Sequence, residues 1–508
     1  MRCRSPKPSR RTFLAGSVLA AGALALGCGR DSSGGTDTFT AAFQGSGAGE
    51  GIDPGVNTLF IDEARMKAVY DGLFEVDGSM TPIPRLAESA EPNADGTRWR
   101  IALRDAAWHD GKKFTARDVL YTFSRVLGPA PQRPFIAASS LDQVDLAGSR
   151  AIDDRTVEIA LKQPSFEFRI ALSVYGTKIV PDGAADFGRP VGTGPFVFDS
   201  FEAGRQFTAH RNENYWDGAP AIGQLRIVSA EADARVNAVR GGEIDYADNL
   251  TPSAARTLAG HPGVTLVSTP GSGIHFFAMK TDRPPFDDPD VRRAVMRMVD
   301  RPELVKVAFE GQGEVGNDVF GKGYQYYADL PQHEYDPDEA GRLLRRAGVR
   351  ELSFDLFTAP VAHGFVEAAR LFADQAAECG VRVNVVLGSK DSYYTDALRT
   401  GHLTMGQSGP LPIPNHFASR LLTTSPQNRT KWSDPQFDAL YATAQATPDA
   451  DRRAALYRDM HEILHDRGGF VFFGTTHWNS AAGDRFRQLP AAVPNSHDWA
   501  RFDAVAAR

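Results

Sequence analysis

The segment VGTGPFVFDSF from Val191 constrains local geometry more than any other stretch, because its Gly-Thr-Gly-Pro makes a tight turn and delivers the chain into a strand. FVFDSF at Phe196 and QFTAHR at Gln206 then pair as a hairpin through Ala203-Gly204. WRIAL at Trp99, RTVEIAL at Arg155 and LRIV at Leu225 also read as strands. Thr115 with Asp118 is a capping box, and it opens a helix that puts Val119, Leu120, Phe123, Val126 and Leu127 on one face. Past residue 270 the pattern changes. LSFDLF at Leu352, a helix from about His363 to Glu378 stopped by Gly380, and VRVNVVL at Val381 form a βαβ unit. Asp336 as N-cap, Pro337 at the first helical position and Gly348 after the last turn frame another helix. The fold class is therefore α/β, and a chain of 508 residues divides into two or three cores.

The first residues predict export. Arg2, Arg4, Lys7, Arg10 and Arg11 form a basic region without an acid, and Phe13 to Leu26 is an apolar run too short to span a bilayer. Residues 1–27 read as a signal peptide. SRRTFLA from Ser9 resembles a twin-arginine export signal, with Ala15 where lysine is common, and LALGC resembles a lipobox with Ala25 and Leu26 in reversed order. Cleavage before Cys28 and acylation of its thiol are expected, with residues 28–37 as a flexible stalk and a lipid-anchored, extracytoplasmic mature protein. Residues 1–27 hold five basic and no acidic residues, so their removal takes the formal charge from −7 to −12. Such a surface repels nucleic acid. Cys3 leaves with the signal and Cys28 is lipidated, so Cys379 has no disulfide partner and stability must come from packing.

Five blocks share an order and spacing. They are YDGLFEVDGSMTPIPRLAESAEPNADGTRWRIALRDAAWHDGKKFTARDVLYTF from Tyr70, VGTGPFVFDSF from Val191, RNENYWDGAP from Arg211, PPFDDPDVRRAVMRMVDR from Pro284 and YDPDEAGRLLRRAGV from Tyr335. Together they resemble the extracytoplasmic solute-binding proteins, family 5, of peptide and nickel ABC transporters, from about Thr38 onward. The resemblance implies a two-lobed periplasmic-binding-protein fold (type II, cluster C-like) with an extra domain inserted in lobe one. On this chain lobe one is 38–60, 187–267 and 479–508, the inserted domain 61–186 and lobe two 268–478. The chain then crosses between lobes near Ser268 and Trp478, and PGSG at Pro270 fits the first crossing because glycines absorb the dihedral change of closure. The resemblance further implies a monomeric receptor rather than an enzyme, without cofactor or resident metal. Its partners are a peptide or small-molecule ligand and an ABC permease with its ATPase. A sensor of the same fold, binding sugar or nickel, is an alternative.

Most of the blocks are turn and cap chemistry. GTGP at Gly192 lacks the third glycine and following helix of a dinucleotide site, His109 in WHDG reads as a turn-stabilising side chain, and Tyr215 and Trp216 read as packing anchors near a domain junction. The cleft is sought elsewhere. Relatives that take free peptides commonly hold the α-ammonium with a lobe-two aspartate, and the corresponding stretch here is MGQSGPLPIPNHF from Met405, with no acid between Gly401 and Ser433. The zwitterionic dipeptide mode is therefore disfavoured, and an N-blocked, neutral or anionic ligand is left. Met405, Gln407, Ser408, Asn415 and His416, with Ser272 and Gly273 at the crossing and Phe43 and Gln44 opposite in lobe one, are the expected binding residues. His402 and His416 alone do not define a nickel site.

One motif points to an enzyme. HEILHDRG from His461 matches HExxH, with His461 and His465 one helical turn apart and Glu462 beside them, the pattern of a zinc-dependent hydrolase. Val471 stands where the long pattern has a third histidine, and no glutamate follows Glu462, so only His477 is left as a nearby third ligand. Leu456, Met460, Ile463 and Leu464 form an ordinary amphipathic stripe, and the hydrolase is the runner-up.

Overall fold

The computed structural model describes residues 37–508 apart from 57–58, 129–134, 391, 394–400, 426 and 490–491. The expected signal peptide, Cys28 and residues 28–36 of the stalk lie outside the described residues.

One mixed sheet runs through the whole molecule. Its order is Val381–Leu387, Leu352–Thr358, Leu403–Ser408, Val264–Met279, Phe470–Gly483, Tyr246–Leu250, Thr38–Phe43, Gln224–Ser229, Gln206–Arg211 and Phe196–Glu202, with Gly313–Val315 added off this path. The two central strands, Val264–Met279 and Phe470–Gly483, are the long ones, and they pair antiparallel from Val264↔Gly483 to Ala278↔Phe470. Tyr246–Leu250 pairs with Phe470–Gly483 at its far end, from Asn479 to Ala482, and Leu403–Ser408 pairs with Val264–Met279 at its far end, from Ile274 to Met279. The sheet thus changes lobes on these two strands. Register shifts between Thr269 and Gly273, where Gly271 takes a φ of 71° and Ser272 Oγ donates to the carbonyls of Thr269 and Pro270 at 3.0 and 3.3 Å. Pro270 has no ladder hydrogen to offer, and an irregularity is the place in a sheet interior that tolerates it. The sequence reads PGSG as the crossing; the structure keeps one strand running through it.

Alternation along Val264–Met279 feeds two cores. Phe277 and Met279 join Met405, Leu356 and Phe372 under the helices Pro289–Arg297, Arg301–Ala308, Pro337–Arg346 and Phe365–Glu378. Ile274, Phe276 and Ala278 face the other way, to Phe417, Phe437 and Tyr457 on Ile413–Arg420, Pro435–Ala446 and Ala450–Arg467. The βαβ unit is present, Leu352–Thr358 and Val381–Leu387 being parallel. Lobe one has its own core of Phe39, Phe43, Phe196, Phe207, Trp499 and Phe502. A separate antiparallel sheet, ordered Ala87–Pro92, Arg98–Leu103, Thr156–Leu161, Val144–Asp153, packs Trp99, Ile101 and Ile159 on the helix Ala116–Leu127. That helix starts where the sequence places it, because Asp118 accepts the Thr115 N–H at 2.7 Å and the Thr115 hydroxyl at 3.1 Å. The helix Phe60–Val69 sits in the lobe-one core through Ile61, Ala64 and Val69, although the expected boundary at residue 61 assigns it to the inserted domain.

The sequence blocks meet at this junction. A Cβ on Gly192 would lie 1.7 Å from the Val69 carbonyl oxygen, and the Gly194 N–H donates to that oxygen at 2.8 Å, so only glycines let the turn approach. His109 lies in the same turn: its Nδ1 accepts the Gly192 N–H at 3.2 Å and its Nε2 donates to the Gly194 carbonyl at 3.0 Å. Asp71, 4 % exposed, accepts from Thr193 Oγ1, Tyr215 Oη and Trp216 Nε1 at 3.0, 3.1 and 2.9 Å. The expectation that Tyr215 and Trp216 are anchors thus acquires a hub. Asp71→Ala removes one acceptor from buried donors, and urea unfolding is expected to show a loss of about 3–5 kcal/mol; a loss below about 1 kcal/mol would make the hub peripheral.

Candidate functional site

The strand Leu403–Ser408 ends in Gly409–Pro412, and Pro414 in the first turn starts the helix Ile413–Arg420, a position where proline's missing N–H costs nothing. Across from this helix lies the chain from 165 to 178, with the short helix Phe168–Ala171 and the 3₁₀ turn Tyr175–Thr177. A cavity of about 790 Å³ opens between them. Asn415, Ser419, Ser425, Asp438 and Tyr441 line one wall, and Ser139, Asp142, Lys162 and Glu167 the other. Its lining is polar enough to orient a solute and its volume suits a small peptide.

The two walls touch at its edges. Asn415 Nδ2 donates to the Ile170 carbonyl at 3.4 Å, the Phe166 N–H to the Gln445 carbonyl at 2.8 Å, and Ser165 Oγ to Gln445 Oε1 at 3.0 Å. Glu167 pairs with Arg453 at 2.6 Å and accepts from the Tyr326 hydroxyl at 2.9 Å. Lobe one closes the near end, where Asn495 Nδ2 donates to the Pro410 carbonyl at 3.0 Å. Phe60 packs edge-on against Trp478 and Trp499 with centroids 4.6 and 5.5 Å apart. Behind Trp478, Asp248 Oδ1 accepts from its indole at 3.0 Å and from Tyr246 Oη at 3.3 Å; burial pushes the Asp248 carboxyl up to about 7. A second, smaller cleft carries a compensated charge cluster. Lys178 contacts Glu75 and lies 4.0 Å from Glu63, and Lys67 donates to the carbonyls of Ser496 and His497 at 2.8 and 2.6 Å. Burial raises Glu63 to about 7 and lowers Lys67 to about 8.

The expected binding residues separate into groups. Asn415 lines the cavity and reaches across it. Ser408, at the strand end, accepts from Arg420. Gln407 and Gln44 are exposed, on strand ends. Ser272 spends its hydroxyl on the crossing irregularity, and Gly273 lies there because a Cβ would come 2.3 Å from Thr476 Oγ1. Three expectations are corrected. Phe43 is packed against Tyr246, Trp499 and Phe502 in the lobe-one core, Met405 is inside the lobe-two core, and His416 is stacked on Phe320 at 3.7 Å and buried. Alternation alone does not say which face of a strand end is covered by helices. Sequence reasoning missed Asn495, Phe60 and the 165–178 wall. Asn495 and the wall had no local signal, since they reach the site through long-range topology.

The HExxH residues do not converge. His461 is buried, with Nδ1 at 2.9 Å from the Tyr457 carbonyl and its ring 5.1 Å from Phe417. His465 stacks on His333 at 3.6 Å, while Glu462 is exposed and pairs with Arg458 at 3.3 Å. A general base on the solvent face cannot serve a water held by a histidine inside the core. Among the described residues no group of three or more His, Cys, Asp or Glu is placed to hold a metal ion.

Residues 81–429 match the model of the bacterial extracellular solute-binding proteins, family 5, and the chain belongs to that family. It is 28% identical over 459 residues to di/tripeptide-binding protein 2 of Pseudomonas aeruginosa, covering 83% of this chain and 86% of the relative. Heme-binding protein A of Haemophilus influenzae is 28% identical over 452 residues, covering 80% and 82%. The solved structure of the ABC transporter substrate-binding protein CtaP from Listeria monocytogenes superposes with a TM-score of 0.80 at 19% identity, over 92% of this chain and 99% of that one, and so shares its fold. The two-lobed α/β fold expected from sequence is the fold observed. No helix among the described residues is long and apolar enough to cross a membrane.

Two outcomes are expected. Asp248 has a folded pKa of about 7, above its unfolded value of about 3.9, so its contribution is fully present below pH ~4 and is lost as pH rises towards 7. Urea unfolding of the wild type should therefore lose on the order of 2–4 kcal/mol between pH 5 and 8 relative to Asp248→Asn, which keeps an acceptor for Trp478; parallel curves would assign the effect to another group. For the HExxH helix, Glu462→Gln should leave stability within about 0.5 kcal/mol and His461→Ala should cost about 2–3 kcal/mol. Loss of one bound zinc per chain in either variant, read by elemental analysis, would revive the hydrolase.

Proposed function

We propose that this chain is the solute-capturing receptor of an ABC importer, binding a peptide or related small polar solute between its lobes and presenting the closed form to a membrane permease. The cavity of about 790 Å³ between the helix Ile413–Arg420 and the 165–178 wall carries this reading. Its walls belong to parts of the fold joined through the two crossing strands, so a solute touching both stabilises the closed arrangement by its differential affinity. The peptide class draws support from the relatives, several of which are named di/tripeptide-binding proteins. Tethering through an acylated Cys28, export by the twin-arginine route and a monomeric state complete the proposal, with lobe one at 38–60, 187–267 and 479–508, the inserted domain at 61–186 less the helix Phe60–Val69, and lobe two at 268–478.

A thermal-shift screen of the purified protein with dipeptides and tripeptides carrying free and blocked termini, oligosaccharides and nickel tests the reading. At ligand concentrations about 100 times Kd, binding adds ~2.7 kcal/mol of stability, so at least one peptide should raise Tm by several degrees. A shift confined to a sugar or to nickel would overturn the peptide assignment.

A further inference from the structure

A loop rooted in lobe two crosses the seam. Residues 316–333 leave the central strand Phe470–Gly483, where the Gly316 N–H donates to the Phe473 carbonyl at 2.9 Å, and return to their starting point. Asn317 Nδ2 donates to the carbonyls of Leu330 and Pro331 at 2.9 and 3.2 Å, and its Oδ1 accepts the His333 N–H at 2.9 Å. The buried Arg301 guanidinium joins Asp318 to the His333 carbonyl. His465, left over from the HExxH motif, stacks on His333 and lies 3.3 Å from Asn317 Oδ1. A loop whose ends are pinned together in this way keeps its shape as a unit.

Its far end touches three parts of the seam. Phe320 stacks flat on His416 at 3.7 Å, and a Cβ on Gly321, whose φ is 84°, would come 2.9 Å from Ile413 Cγ1, so the loop lies against the back of the helix Ile413–Arg420 that walls the cavity. Tyr324 Oη donates to the Gly271 carbonyl at 3.3 Å, in the irregular stretch where the sheet changes lobes. Beyond it the loop reaches the proposed inserted domain: the Gln325 N–H donates to the Ser79 carbonyl at 2.9 Å, the Tyr326 hydroxyl to Glu167 Oε1 at 2.9 Å, and Val76 and Met80 pack in one core with Phe320 and Tyr324. Tyr326 makes its contact from a left-handed backbone, with a φ of 70°, a conformation that a tyrosine keeps only where its surroundings fix it. Its ring is held on Tyr457 at 4.5 Å. Glu167 lines the far wall of the cavity, so a loop rooted behind one wall is fastened to the other. The walls cannot part while Gln325 and Tyr326 keep these partners.

We propose that residues 316–333 are a clasp, fixed in lobe two by Arg301, Asp318 and His333, that fastens the inserted domain in the shut form with the Tyr326 hydroxyl as its catch. The inference rests on the receptor reading for what the opening admits, and it places part of the resistance to opening in the protein itself rather than in the solute.

Hydrogen exchange of the ligand-free protein, resolved to single amides, compares the wild type with Tyr326→Phe, which keeps the ring on Tyr457 and loses only the hydroxyl. Two amides report on parting of the walls: Gln325, which donates to Ser79, and Phe166, which donates to the Gln445 carbonyl at 2.8 Å in a contact outside the loop. Gly316 and His333 report on the base. A hydrogen bond to a carboxylate changes an equilibrium by about tenfold or more. Tyr326→Phe is therefore expected to speed exchange at Gln325 and Phe166 together by about tenfold and to leave Gly316 and His333 unchanged. Faster exchange at Gln325 alone would mean a frayed tip, and faster exchange at all four amides an unfolded loop; either result overturns the clasp, as does no change at any of them. The thermal-shift screen decides the receptor reading separately. Joint release of Gln325 and Phe166 in a protein that no peptide, sugar or nickel ion stabilises would leave the clasp standing and remove the receptor.

Discussion

The antiparallel pairing of Val264–Met279 with Phe470–Gly483 is the constraint on which both lobes depend. Each strand begins in the sheet of one lobe and ends in the sheet of the other, so neither lobe can form its central sheet without the chain that builds its neighbour. A continuous hydrogen-bonded ladder resists bending, and its register shifts, between Thr269 and Gly273 and between His275 and Phe276, gather its irregularity in the stretch where the sheet changes lobes. Regular halves joined by a short irregular stretch are what lobe closure requires.

Most of the fold was legible because its signals are local. The capping box at Thr115, the Asp336–Pro337 helix start and the hairpin at Ala203-Gly204 all act within a few residues, and each appears where the sequence puts it. PGSG reads as a crossing whose glycines absorb a dihedral change, and the structure has there a register shift inside one strand that is paired on both sides. The helix Phe60–Val69 could not be assigned from its own residues, since its burial comes from Phe39 and Phe196, far away in sequence.

The candidate site was less legible for a related reason. Loop residues with polar side chains are common, and the difference between Asn415, which faces the cavity, and His416, which stacks on Phe320, is one position on a helix. The absence of an acid between Gly401 and Ser433 was readable, but the wall that faces this stretch was not, because 165–178 comes to it from far away in sequence. The blocks that identify the family are occupied elsewhere. Gly192, His109, Tyr215 and Trp216 join the domains around Val69 and Asp71, so these blocks report on the scaffold of this chain and not on its cargo.

The contact of Glu167 with Arg453, with side chains 6% and 12% exposed, bears on how an unloaded receptor behaves. Shutting the seam strips water from both ions, and their mutual attraction returns only part of that hydration. The pair therefore gives shape to the shut form without supplying much net drive towards it. On the proposed receptor reading, an empty chain would gain little by resting shut, and a permease that recognised the shut outline would be spared futile docking and the ATP that would go with it.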